Sequence, residues 1–245
     1  MSLALLAVVV LFAFSVEAVV GFGSTVLTVT LGAQLLPVAV LLPAFVPLNL
    51  ALSAVLVARN ARHVDLGLLG RRVLPFVGAG MVVGLGLFRL GTTASLELAL
   101  AGFVVTLALV ELARMRRPEP DGARRLAPAA AATLLGVGGV AHGLFGSGGP
   151  MVVYVASREL EGKARFRATL SALWLVLNAV LVASYAQQGL VDRASLGRSL
   201  ALVPSLLVAL PLGEWLHGRL PESRFRPLVY VVLLVGGLSL AARHL

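Results

Sequence analysis

Apolar residues run along this chain in long unbroken stretches, at positions 38–58, 73–88, 96–113, 168–187, 199–216 and 227–242. Each stretch is close to the roughly 20 residues with which a helix crosses about 30 Å of hydrocarbon. Each is apolar around most of its circumference, so the pattern has no water-facing side. Pro75, Gly78, Gly84, Pro204 and Pro211 fall inside these stretches, which packed membrane helices tolerate because neighbouring helices satisfy the freed backbone groups. The pattern predicts an all-α membrane bundle and not a barrel.

Two further apolar segments, 3–33 and 127–157, are each about 30 residues long and are broken in the middle by polar and glycine residues. The first break reads Glu17-Ala18-Val19-Val20-Gly21-Phe22-Gly23-Ser24-Thr25, the second His142-Gly143-Leu144-Phe145-Gly146-Ser147-Gly148-Gly149-Pro150. Other pairs repeat in the same order: Asn49 with Asn178, His63-Val64-Asp65 with Leu190-Val191-Asp192, and Leu69-Gly70-Arg71 with Leu196-Gly197-Arg198. The chain therefore reads as an N-terminal membrane repeat (1–113), a linker rich in Arg, Pro and acidic residues (114–128), and a C-terminal membrane repeat (129–245). The first residues carry no Lys or Arg and have a counterpart near 127–145, so they read as part of the fold and not as a removable leader.

Composition agrees with the pattern. With 59% hydrophobic and 13% charged residues and a mean hydropathy of +0.98, a soluble domain of this length could not hide its apolar surface. The net charge of +9 does not indicate nucleic acid, because the basic residues sit in short loops and no basic face with interleaved aromatics exists. Their placement follows the positive-inside rule, and that rule bears on topology. If both broken segments are re-entrant, each half has three crossings, the second half is inverted, and 16 of the 20 basic residues lie on one side, leaving Arg89, Arg193, Arg198 and Arg243 on the other. If both segments cross fully, the split falls to 12 against 8. The charges favour inverted repeats with both termini outside and the linker cytoplasmic.

Chemistry is concentrated at the breaks. A half-helix beginning near Ser24, and another near Gly149, would point unsatisfied N–H groups and a positive dipole end into the break. In transporters with inverted repeats two such ends converge near the midplane and hold an anionic group. Candidate substrate-binding residues are Gly21, Phe22, Gly23, Ser24, Thr25 and Asn49 in the first half, and Gly146, Ser147, Gly148, Gly149, Pro150 and Asn178 in the second. The glycines would allow close backbone approach, although small residues also serve helix packing alone. Glu17 and His142, four residues before Gly21 and Gly146 respectively, are ionisable groups at membrane depth and candidates for proton coupling; a purely structural hydrogen bond is the alternative. Gln34, Thr169 and Ser171 are weaker candidates for lining the path. Asp65 and Asp192 are expected to cap the helices that follow them, Trp174 to pack, and Trp215 with Glu214 and His217 to mark a helix end at the interface.

Other chemistries find no support. The chain has no cysteine, no metal-ligand pattern, no Walker loop, and no GxGxxG, GxSxG or HExxH motif. No cofactor is implied, and partners reduce to the lipid bilayer and a small anionic substrate, with a homo-oligomer left open.

Gly21-Phe22-Gly23-Ser24, Gly146-Ser147-Gly148-Gly149-Pro150, the stretch from Ala168-Thr169-Leu170-Ser171 to Asn178, and the Val64-Asp65 and Val191-Asp192 helix starts resemble the TauE/SafE sulfite exporter family (TSUP, DUF81) of bacterial membrane proteins. The resemblance covers nearly the whole chain. At the first break Ser24-Thr25 stand in place of further glycines, and no proline follows directly. The resemblance implies a multi-pass protein of the bacterial inner membrane that moves sulfite, sulfonates or other sulfur oxyanions, mostly outward. The expectation is a secondary transporter, with a passive anion or solute channel as the alternative. An intramembrane enzyme using Glu17 and His142 as acid and base is the reading from another class.

Overall fold

Apolar runs free of turn residues give long helices, and the glycine breaks split two of the segments. The computed structural model describes residues 2–20, 22–115, 126–217 and 222–243. Gly21 and the linker positions 116–125 lie outside the described residues. The helices are α1 (Ser2–Val20), α2 (Ser24–Gly32), α3 (Val38–Asn60), α4 (Leu66–Leu90), α5 (Thr93–Met115), α6 (Pro128–Phe145), α7 (Gly149–Ala156), α8 (Lys163–Gln187), α9 (Arg193–His217) and α10 (Glu222–Ala242). No strand occurs among the described residues.

Among the described residues six helices, α3 to α6 with α8 and α9, are long and apolar enough to cross a membrane. One of them, α6, was expected from sequence only as an arm of a broken segment. Many outward side chains are apolar, Val82, Leu200 and Val235 among them, as a lipid-facing surface requires. The protein is an all-α, multi-pass integral membrane protein.

Local signals set the helix starts. Asp65 Oδ1 accepts from the Leu68 amide at 2.9 Å, and Asp192 Oδ1 from the Ser195 amide at 2.7 Å, the capping role expected of both. A wider i→i+5 turn over Leu69–Val73 precedes Pro75 in α4, where proline removes a helical donor.

Both broken segments fold back on themselves. Gly32 near the end of α2 lies against Leu6 near the start of α1, while Gly23 faces Val16. The short α2 thus runs antiparallel to α1. In the second half Gly148 abuts the backbone of Gly138, and Gly138 meets Val152, so α7 returns along α6 in the same way. The chain reverses through backbone that favours glycine, with φ +107° at Gly23 and +63° at Gly146.

The halves interleave. The first helix of each packs on the third long helix of the other half's set, α1 on α9 and α6 on α4, while α3 pairs with α8 and α5 with α10. In the α4–α6 pair the backbones touch: a Cβ at Gly80 would lie 2.0 Å from the Gly136 carbonyl oxygen, and one at Gly84 2.2 Å from that of Val140. α3 and α8 run antiparallel. Asn49 meets Asn178 at their middles, and the amide of Asp65, past the end of α3, donates to Thr169 Oγ1 near the start of α8 at 2.9 Å.

The same contacts bring two basic clusters to one end of the bundle. Arg165 bonds Asp65 at 2.7 Å, Arg72 bonds Glu159 at 3.1 Å, and the guanidinium groups of Arg114 and Arg158 both lie over the Tyr154 ring. Around Asp65, Arg71, Arg72, Glu159 and Arg165 is an open charged recess of about 490 Å³. Arg89, which bonds Ser184, and Arg243, which bonds the Ala33 carbonyl, are held by other parts of the bundle.

Candidate functional site

The two hairpin tips meet α3 and α8 at the centre of the bundle. Between them is a cavity of about 20 Å³, room for roughly one water molecule. It is lined by Glu17, Phe22, Gly23, Thr25, Val26 and Asn49 from the first half, and by His142, Gly146, Ser147, Gly149, Pro150, Trp174 and Asn178 from the second. No Arg or Lys is among them.

Of the residues expected from sequence, eleven line this cavity, both ionisable ones included. Ser24 stands behind the wall, bonded to Glu17 and Asn49. Gly148 supports the hairpin by packing on Gly138, and Gly21 lies outside the described residues. Gln34, Thr169 and Ser171 are elsewhere: Gln34 donates to the Gly236 carbonyl, Thr169 accepts from Asp65, and Ser171 donates to the Arg167 carbonyl. Sequence reading missed Val26 and the exposure of the Trp174 ring to the cavity. Trp174 lies four residues before Asn178, one helical turn away on the same face, and that spacing was the available signal.

At the first break the polar groups form one hydrogen-bonded chain. Asn178 Nδ2 donates to Asn49 Oδ1 at 2.9 Å, Asn49 Nδ2 donates to Ser24 Oγ at 2.8 Å and to Thr25 Oγ1 at 3.0 Å, and Ser24 Oγ donates to Glu17 Oε2. The Ser24 amide, at the start of α2, donates to the same carboxylate oxygen at 3.2 Å. The branch through Ser24 ends at Glu17, which is 4% exposed. An acidic group buried at a helix N-terminus is stabilised by the free amides and the dipole there.

The second half differs. His142 occupies the position of Glu17, is 2% exposed, and stacks on Trp174 with ring centroids 5.7 Å apart. Neither of its ring nitrogens has a hydrogen-bond partner among the described residues. Gly149 stands where the first half has Ser24, so the hydroxyl that bonds Glu17 has no counterpart at that position, although Ser147 lies nearby in the cavity wall. α7 starts without a side-chain cap and with proline in its first turn. No group of three or more His, Cys, Asp or Glu side chains that could hold a metal occurs among the described residues.

Comparison with known proteins bears directly on this arrangement. The sequence profile described as "Sulfite exporter TauE/SafE" matches residues 6–240. The chain belongs to that family. Membership of a family described as exporters accords with the multi-pass helical bundle. It is 32% identical over 111 residues to a protein of Comamonas testosteroni named "Probable inner membrane transporter protein TsaS". That match spans 45% of this chain and 46% of the relative, so the chain spans about half the length of the curated protein it matches. No solved structure matches it.

Proposed function

We propose that this TauE/SafE protein is a secondary transporter of a small sulfur oxyanion or organosulfonate, with the substrate held in the central cavity between the two hairpin tips. The observation that carries this reading is the convergence of both glycine breaks, Asn49 and Asn178 on one buried polar cavity. Gly23, Thr25, Gly146, Ser147, Gly149 and Pro150 would form its walls, and α2 and α7 would aim their N-terminal ends at it. The chain's 1–113 and 129–245 segments would act as inverted repeats, a relation supported by the antiparallel α3–α8 pair and by the two basic clusters at one end. That end would face the cytoplasm, with both termini outside.

The cavity has room for about one water, so it must widen to admit an oxyanion. This supports a carrier that alternates between states over a standing channel. Behind Phe22 and Pro150 is a second small cavity with apolar walls, Leu107, Val229 and Leu233 among them. It shares Phe22, Gly23, Val26 and Pro150 with the polar one, which suits a substrate with an anionic head and a short apolar tail.

Glu17 and His142, both in the cavity wall, would couple anion movement to protons, and a protonated His142 together with the half-helix dipoles would offset the missing Arg or Lys. The test is the internal pH of dye-loaded proteoliposomes when sulfite is added. Coupling predicts a pH change beyond that of protein-free vesicles, reduced in Glu17→Gln and His142→Gln. Transport without any such change removes the proton-coupled part of the proposal.

A further inference from the structure

The two breaks match in fold and differ in what they offer an anion. At the first, the N-terminal amide of α2 and the Ser24 hydroxyl are already engaged by the Glu17 carboxylate, and Asn49 and Asn178 feed the same chain. That half-helix end already holds a carboxyl group of its own. At the second, the hydroxyl is replaced by Gly149, Asn178 has turned away to Asn49, and α7 begins uncapped. Beside it His142 is buried, faces the cavity and leaves both ring nitrogens without partners among the described residues. A buried imidazole with no partner is costly, and such orphaned groups mark places where a ligand completes the bonding.

We propose that the oxyanion seat is asymmetric: the substrate's anionic head binds at the second break alone, between the N-terminal amides of α7 and an imidazole N–H of His142, while the Glu17 carboxyl group fills the corresponding place in the first. This rests on the transport reading above and narrows it to one of the two breaks. A neutral imidazole suffices, since either tautomer supplies one N–H donor. A Cβ at Gly149 would meet nothing closer than Phe22 Cδ2, at 3.6 Å, so the place has room for one methyl as it stands and widens with the rest of the cavity to take the oxyanion. Trp174, stacked on His142, closes one side and would report on occupancy.

The experiment is equilibrium binding of labelled sulfite to the purified full chain, with Trp174 fluorescence followed in a Trp215→Phe background. Wild type should bind a single equivalent and change the Trp174 emission. His142→Gln, which loses a ring donor, and Gly149→Ala, whose methyl covers the seat in ordinary contact with Phe22, should each weaken binding by about tenfold or more. Glu17→Gln leaves the second break untouched and should bind at least as tightly as wild type. The Gly149→Ala arm decides the matter if His142→Gln does not fold. Loss of binding in Glu17→Gln with retention in the second-break variants, or equal loss in all three, overturns the asymmetric seat and leaves the transport reading standing. Folded wild-type protein that binds no sulfite overturns both.

Discussion

Asn178 donates to Asn49 at 2.9 Å in the middle of the bundle, so the matching asparagines of the two halves are each other's partners. Through Asn49 the contact continues to Ser24 and Glu17, and α8 of the second half is thereby tied to the first hairpin. Breaking this link should loosen the hairpin tip as well as the α3–α8 pair.

A double-mutant cycle on Asn49→Ala and Asn178→Ala measures that link. Interhelical polar pairs in membranes contribute about 0.6 kcal/mol on average and up to about 1.7 kcal/mol. The expected coupling energy lies toward the upper end, because both residues are buried and feed one network. Strictly additive losses of stability would show the pair to be uncoupled.

The glycines of α4 separate into two classes. Gly84→Ala drives a methyl into the Val140 carbonyl of α6, whereas Cβ at Gly86 would meet nothing within 4 Å. Overpacking should cost Gly84→Ala roughly 1–3 kcal/mol or more, and Gly86→Ala should be neutral or gain up to about 1 kcal/mol. Thermal unfolding in detergent compares them on the same helix.

At Gly146 backbone conformation decides. Its φ of +63° and the 3.1 Å from a built Cβ to Thr25 Cγ2 make Gly146→Ala strained by roughly 1–2 kcal/mol. Reduced melting temperature together with weakened anion binding is the expected result. The same substitution at Gly149, with ordinary φ and an open side, should leave the melting temperature near wild type.

Asp65 and Asp192 cap helices at the ends of the bundle, and both carboxyls are held below the usual carboxylate value. The cause at Asp65 is first the backbone amide of Leu68, with Arg165 adding to it; at Asp192 it is first the Ser195 amide. A pKa lowered on folding contributes stability above the unfolded value, lost as pH falls through the folded one. The stability gap between wild type and Asp65→Asn should therefore narrow below roughly pH 4. A gap that stays constant from neutral to acid pH would contradict the cap's ionised role.

Much of this was legible in the sequence because membrane helices announce themselves by unbroken apolar length, and because duplication shows wherever polar residues interrupt it. Glu17 and His142, Asn49 and Asn178, and the two glycine breaks stood out on that background, and nearly all of them share one cavity. Gln34, Thr169 and Ser171 did not, since a polar residue on a membrane helix can bond its own backbone or a neighbouring loop, and sequence does not show which. Trp174 was hidden for the opposite reason, an aromatic ring in an apolar run carrying no mark of the cavity it faces. The difference between the halves, an engaged Glu17 against an unpartnered His142, depends on which way Asn178 turns. Only the packing of α3 on α8 settles that.

The most direct test of the account is uptake of labelled sulfite into proteoliposomes containing the purified protein, with unlabelled sulfonates as competitors and with or without an imposed pH gradient. A sulfur-anion carrier predicts saturable, competable uptake that responds to the gradient and falls sharply in His142→Gln. Uptake no greater than in protein-free vesicles, for sulfite and every sulfonate offered, would contradict it.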